Sequence, residues 1–138
     1  MTRMHLPKIR AQLRRLPASA TLQTKRVLIV DDDRNLTRLL STVMQVAGLG
    51  VITASDGETA LQLLASEHVD LIILDLRMPR MDGRTFFREL RATGNVTPVL
   101  IASAYGARAA QAELGAQGAV EKPFDPDALL DVVTRLLY

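Results

Sequence analysis

From residue 27 onward, short apolar runs rich in β-branched residues alternate with segments whose apolar positions recur every three or four residues. The runs are Val27 to Val30, Val51 to Ala54, Leu71 to Leu74, Val99 to Ala102 and a weaker Gly118 to Glu121. Unbroken apolar runs of this length suit strands covered on both faces, and their alternation with amphipathic segments is the pattern of βα units around a parallel sheet. Between the first two runs, Leu36, Leu39, Leu40, Val43, Met44 and Ala47 form one helical stripe, with Gly48 as its stop. The second helix opens at Ser55-Asp56-Gly57-Glu58, where Ser55 and Glu58 have capping-box spacing. A third centres on Phe86, Phe87 and Leu90 and stops near Gly94. The fourth, Gly106 to Leu114, is mostly alanine and has the poorest stripe, so it is expected to dock most loosely. The last has Asp125 as N-cap, Pro126 in its first position, and Leu129, Leu130, Val133, Leu136 and Leu137 on one face. Five such units predict a doubly wound α/β sandwich with strand order 2-1-3-4-5, whose ligands bind at the carboxyl ends of the strands near the β1/β3 switch point.

Composition narrows the chemistry. No apolar run among the 138 residues approaches the ~20 needed to cross a bilayer, and no signal-peptide core opens the chain, which predicts a soluble cytoplasmic protein. With Cys 0 and only two histidines, His5 and His68, there is no thiol nucleophile and no compact histidine or cysteine metal motif. The net charge of +2 hides a split. Residues 1 to 26 hold seven basic residues and no acid, so the other ten bases meet all 15 acids and the remainder stands at −5. The body is therefore not expected to bind DNA. Residues 1–24 are expected to form a basic extension, either a disordered tail or a short amphipathic helix through Leu6, Ile9, Leu13 and Leu16.

What remains sits at the strand ends: Asp31-Asp32-Asp33 after the first, Asp75 after the third, Ser103 after the fourth and Lys122-Pro123 after the fifth. Carboxylates converging from adjacent strands are costly unless a cation separates them, and a hard divalent ion such as Mg²⁺ suits oxygen ligands. Asp33 and Asp82 read as helix caps. Asp75, on a loop shaped by Pro79 and Gly83, can attack phosphorus beside the metal, while Lys122 and Ser103 can neutralise and hydrogen-bond a phosphoryl group.

These residues closely resemble the receiver domains of two-component response regulators. The resemblance rests on Val27-Leu28-Ile29-Val30-Asp31-Asp32-Asp33, the block Leu74 to Gly83, Pro98 to Ala104 and Glu121-Lys122-Pro123-Phe124, and it covers about residues 25–138. It implies a flavodoxin-like fold and a stand-alone phosphoacceptor module, or a fragment of a longer regulator. Asp75 would take phosphate from a histidine kinase, or exchange it with a histidine phosphotransfer protein, and so change the binding of a downstream protein target. It implies that Asp32, Asp75 and the Arg77 carbonyl ligate Mg²⁺, with Asp31 acting mainly through water, that Ser103 and Lys122 hold the phosphoryl group, and that the Lys122-Pro123 peptide is cis. It implies no turnover enzyme beyond the domain's own phosphorylation and slow dephosphorylation.

One position departs from the family. Receivers usually carry an aromatic residue three positions before the lysine, and here that position is Ala119. A phosphorylation-independent interaction module is thus an alternative, and Tyr105 reads either as a substitute aromatic or as a loop residue shielding the site. A phosphatase of the haloacid dehalogenase type is disfavoured, since it needs an acid where Arg77 stands.

Overall fold

A computed structural model of the chain describes residues 24–138. The extension expected over residues 1–24 lies outside the described residues except for Thr24. The elements follow in strict alternation: β1 (Arg26–Val30), α1 (Arg34–Val46), β2 (Gly50–Ala54), α2 (Gly57–Leu64), β3 (Leu71–Leu74), α3 (Gly83–Ala92), β4 (Val99–Ser103), α4 (Ala107–Leu114), β5 (Gly118–Glu121) and α5 (Pro126–Leu137). The five strands form one parallel sheet in the order β2-β1-β3-β4-β5, the expected flavodoxin-like arrangement. Strand β1 is interior to the sheet, pairing Val27 with Val51 on one side and with Leu71 on the other.

The apolar runs of β1, β3 and β4 are unbroken because these three strands bury both faces. Val27, Ile29, Leu71, Ile73 and Leu100 pack against α1 and α5 through Leu40, Val43, Met44, Leu129, Leu130 and Val133. Leu28, Val30, Ile72, Leu74, Val99 and Ile101 face α2, α3 and α4, where Phe86, Phe87 and Leu90 fill the layer. Burying a Leu, Ile or Phe side chain contributes roughly 1.5–3 kcal/mol, so these two layers dominate stability.

Four of the five helices start on an aspartate whose carboxylate accepts a backbone N–H of the first turn: Asp33 from Leu36, Asp56 from Thr59, Asp82 from Thr85 and Asp125 from Asp127. Each such cap contributes about 1 kcal/mol. The α2 cap corrects the sequence reading. Ser55 is exposed and lies one residue outside the helix, and the adjacent Asp56, a stronger acceptor, takes the capping role. A second correction concerns α1, where Leu39 is 38% exposed: it lies at the edge of the apolar stripe and turns outward while Leu40, Val43 and Met44 turn in. Helix α4 differs from the rest. It begins at Ala107 after Gly106, which is left-handed (φ 70°) and offers no side-chain cap, and it ends at a second left-handed glycine, Gly115 (φ 74°). Its fully buried residues are Ala107 and Ala110, so its backbone lies close to the sheet on two methyl groups.

Candidate functional site

The backbone hydrogen-bond ladder runs past the strand ends and fixes the residues that follow. The Asp31 N–H donates to the Ala54 carbonyl (3.1 Å), the Asp75 N–H to that of Val30 (2.9 Å), and the Lys122 N–H to that of Ser103 (2.9 Å). Adjacent parallel strands thereby deliver Asp31, Asp75, Ser103 and Lys122 to one edge of the sheet. Asp31, Asp75 and Ser103 are buried, whereas Asp32 is exposed at the rim.

Carboxylate oxygens of Asp31, Asp32 and Asp75 lie within 4.8 Å of one another. Two unit charges at such a separation repel by about 3 kcal/mol at an effective dielectric of ~20. Lys122 offsets part of this: its Nζ lies 2.7 Å from Asp31 Oδ2 and 3.7 Å from Asp75 Oδ1. The Asp33 N–H also donates to Asp31 Oδ1 (2.9 Å). Asp75 is left under-compensated. Burial, and then the neighbouring Asp31 charge, hold its carboxyl above the usual value, against the opposing pull of Lys122, the Arg77 N–H and the Ser103 hydroxyl. Three oxygens converging on one point with a residual negative charge fit a hard divalent cation. The lysine beside them lies close to both buried acids.

The loop carrying Asp75 is tied down at two points, Gly83 and Arg80. Gly83 donates to the Leu76 carbonyl (2.9 Å). A Cβ at Gly83 would collide with the Asp75 carbonyl oxygen and with Leu76 Cα, so only glycine allows α3 to begin this close to the acid. Arg80, with a left-handed backbone (φ 68°), sends its guanidinium to Asp56 (2.9 Å), joining the loop to the start of α2. The sequence reading missed this tie, because a non-glycine residue in that conformation has no local sequence signal. The Lys122-Pro123 peptide is cis, as expected.

In front of the acids opens a cleft of about 480 Å³ lined by Asp32, Arg77, Met78, Arg84 and Tyr105 among others. Tyr105, 70% exposed, stacks on the Arg77 guanidinium at 5.2 Å across its rim. Ala119 sits on β5 opposite Ile101, half-buried against the α2–α4 layer. The structure thus brings together Asp31, Asp32, Asp75, Ser103 and Lys122, places Arg77 at the cleft wall, and keeps Asp33 and Asp82 as caps.

The response regulator receiver domain family matches residues 27–134. The chain belongs to this family. Similar relatives are the regulatory protein AtoC of Escherichia coli, 42% identical over 115 residues (81% of this chain, 25% of AtoC), and the transcriptional regulatory protein CpxR of Klebsiella pneumoniae, 41% identical over 115 residues (81% and 49%). The chain therefore spans half or less of the length of these curated relatives. Among solved structures, the chemotaxis protein CheY4 of Vibrio cholerae superposes with a TM-score of 0.77 at 33% identity, covering 83% of this chain and all of that one. The response regulator TrrA of Thermotoga maritima, solved with Mg²⁺ and BeF, gives 0.75 at 35% identity, covering 83% and 100%.

As a receiver domain of two-component response regulators, the protein is a phosphoacceptor signalling module, and a purely phosphorylation-independent role is not favoured. Receiver domains work with histidine kinases, and the acidic cluster found here could hold a metal ion. No helix among the described residues is long and apolar enough to cross a membrane.

Proposed function

We propose that Asp75 is the phosphoacceptor of a cytoplasmic receiver spanning residues 25–138, preceded by a basic extension over residues 1–24. An Asp75 carboxylate oxygen attacks the phosphorus of a kinase or phosphotransfer-protein phosphohistidine. The P–N bond breaks, its electron pair returns to the imidazole nitrogen, and an acyl phosphate remains on Asp75. The observation that carries this reading is the convergence of Asp31, Asp32 and Asp75 within 4.8 Å beside Lys122. Asp32, Asp75 and the Arg77 carbonyl would hold Mg²⁺, with Asp31 acting through water, and the ion would offset charge developing on the phosphoryl oxygens. Lys122 supplies a compact cation and Ser103 a hydroxyl donor to the transferred group. The phosphorylated domain then alters its binding of a protein target or passes the phosphate onward.

Incubation with acetyl phosphate and Mg²⁺ is expected to add the mass of one phosphoryl group, in a form that hydroxylamine removes as it removes acyl phosphates. Asp32→Ala is expected to abolish both metal binding and uptake, whereas Lys122→Ala keeps metal binding and loses uptake. Metal binding by Asp32→Ala equal to that of the native chain would overturn the ligand assignment.

The Arg77–Tyr105 stack spans the cleft through which a hydrolytic water must pass. Tyr105→Ala is expected to hasten decay of the phosphoprotein about fivefold, the effect of roughly 1 kcal/mol on a barrier. The measurement is loss of the phosphorylated mass with time. Unchanged decay would remove Tyr105 from this role.

A further inference from the structure

A second cavity, of about 350 Å³, lies beside Asp31, between α1 and the β2–α2 junction. Its walls carry Arg34 and Arg38, one turn apart on α1, together with the exposed Thr53 and Ser55. Neither guanidinium meets a carboxylate among the described residues, and no partner there takes the Thr53 or Ser55 hydroxyl. By contrast, Arg26, Arg80, Arg84 and Arg88 each engage an acid. The one acid in the lining, Asp31, is engaged by Lys122 at 2.7 Å and by the Asp33 N–H, so its charge is largely answered from the other side. The remaining hydroxyls are in use: Thr37 donates to the Asp33 carbonyl (2.9 Å), and Thr59 is drawn to Asp56.

We propose that this cavity binds a phosphate-bearing small molecule through Arg34 and Arg38, with the Thr53 and Ser55 hydroxyls completing the grip. Two guanidinium groups offer paired N–H donors that match the oxygens of a phosphate dianion, and the hydroxyls add neutral donors at the opposite wall. The volume falls within the range of small-molecule sites and exceeds what a bare phosphate fills, which favours a phosphomonoester of nucleoside monophosphate size. The site itself does not depend on the assignment of Asp75.

The test is titration of the full chain with adenosine monophosphate and, separately, inorganic phosphate, in the presence of EDTA so that no metal bridges either ligand to the acids. Binding is followed by calorimetry and by amide chemical shifts. Saturable one-to-one binding is expected, with shifts at residues 34, 38, 53 and 55, and Arg34→Gln combined with Arg38→Gln should weaken it at least tenfold. Both arginines are exposed on α1, so the variant should keep the native circular dichroism spectrum. Asp75→Asn should bind as the native chain does, which separates this site from the phosphorylation cleft. Tighter binding of the nucleotide than of inorganic phosphate identifies the phosphomonoester class, and equal affinity identifies free phosphate as the occupant. Absence of saturation below about 10 mM, native affinity in the double variant, or shifts confined to the basic residues 1–26 would overturn the proposal.

Discussion

Asp75→Ala is expected to remove phosphoryl uptake entirely, with no phosphorylated species detectable by intact mass, and at the same time to raise the melting temperature of the metal-free protein. The first effect follows from geometry. Asp75 is the member of the acidic group on the β3–α3 loop, with Lys122 3.7 Å from one oxygen and Ser103 beside it. Asp31, by contrast, is engaged by Lys122 at 2.7 Å and by a backbone N–H, which leaves it a poorer nucleophile. The second effect follows from charge. A buried carboxyl whose folded-state pKa lies above its ordinary 3.8 binds more protons folded than unfolded as pH rises from that value. Stability therefore falls across that window, and at neutral pH the ionised group opposes folding. Removing it relieves the repulsion from Asp31, and a gain of a few degrees is the response of a domain this size to roughly 1 kcal/mol. Labelling of Asp75→Ala equal to that of the native chain would refute the assignment. A lowered melting temperature would mean that lost packing outweighs the relieved charge.

Gly83→Ala carries the other large effect. Most small-to-large changes are absorbed by a flexible neighbour, but here the colliding atoms are backbone: the Asp75 carbonyl oxygen and Leu76 Cα. Neither can move without shifting β3 against α3 or lifting the loop that presents Asp75. The expected cost is about 3 kcal/mol, near 10 °C in melting temperature. Uptake of phosphate should fall further than the folded fraction does. Gly94→Asn serves as the contrast. Its φ of 86° is left-handed, a conformation asparagine tolerates, and nothing lies within 4 Å of an added Cβ. A loss within about 1 kcal/mol is expected there. Equal losses in the two variants, measured by thermal denaturation, would show that steric approach at Gly83 is not the constraint.

Much of the site could be read from the sequence because its residues follow strands directly. A buried apolar run ending in Asp31-Asp32 or in Asp75 can point only to the carboxyl edge of a parallel sheet, so the period of the runs sets topology and site together. The reading faltered where the signal was one residue wide. Ser55 and Asp56 are both capping types, and only the backbone decides that Asp56 takes the Thr59 N–H. Leu39 shares a helical stripe with Leu40 but lies just beyond its buried edge. The Arg80–Asp56 tie spans 24 residues through a backbone conformation that arginine rarely adopts, and the cavity beside Arg34 depends on how α1 and α2 lean on β2. Neither property is encoded in a local pattern.

The two-alanine seat of α4 bears on how such a module can diversify. A helix held by Leu129, Leu130 and Val133, as α5 is, commits bulky side chains to the core, and changing its outward face soon disturbs their packing. Helix α4 commits Ala107 and Ala110, while Arg108, Ala109, Ala112 and Glu113 are exposed. Substitutions at such exposed positions usually change stability by no more than about 0.5 kcal/mol. Duplicated copies of this domain could therefore rewrite the α4 surface while the fold and the acidic edge of the sheet stay intact.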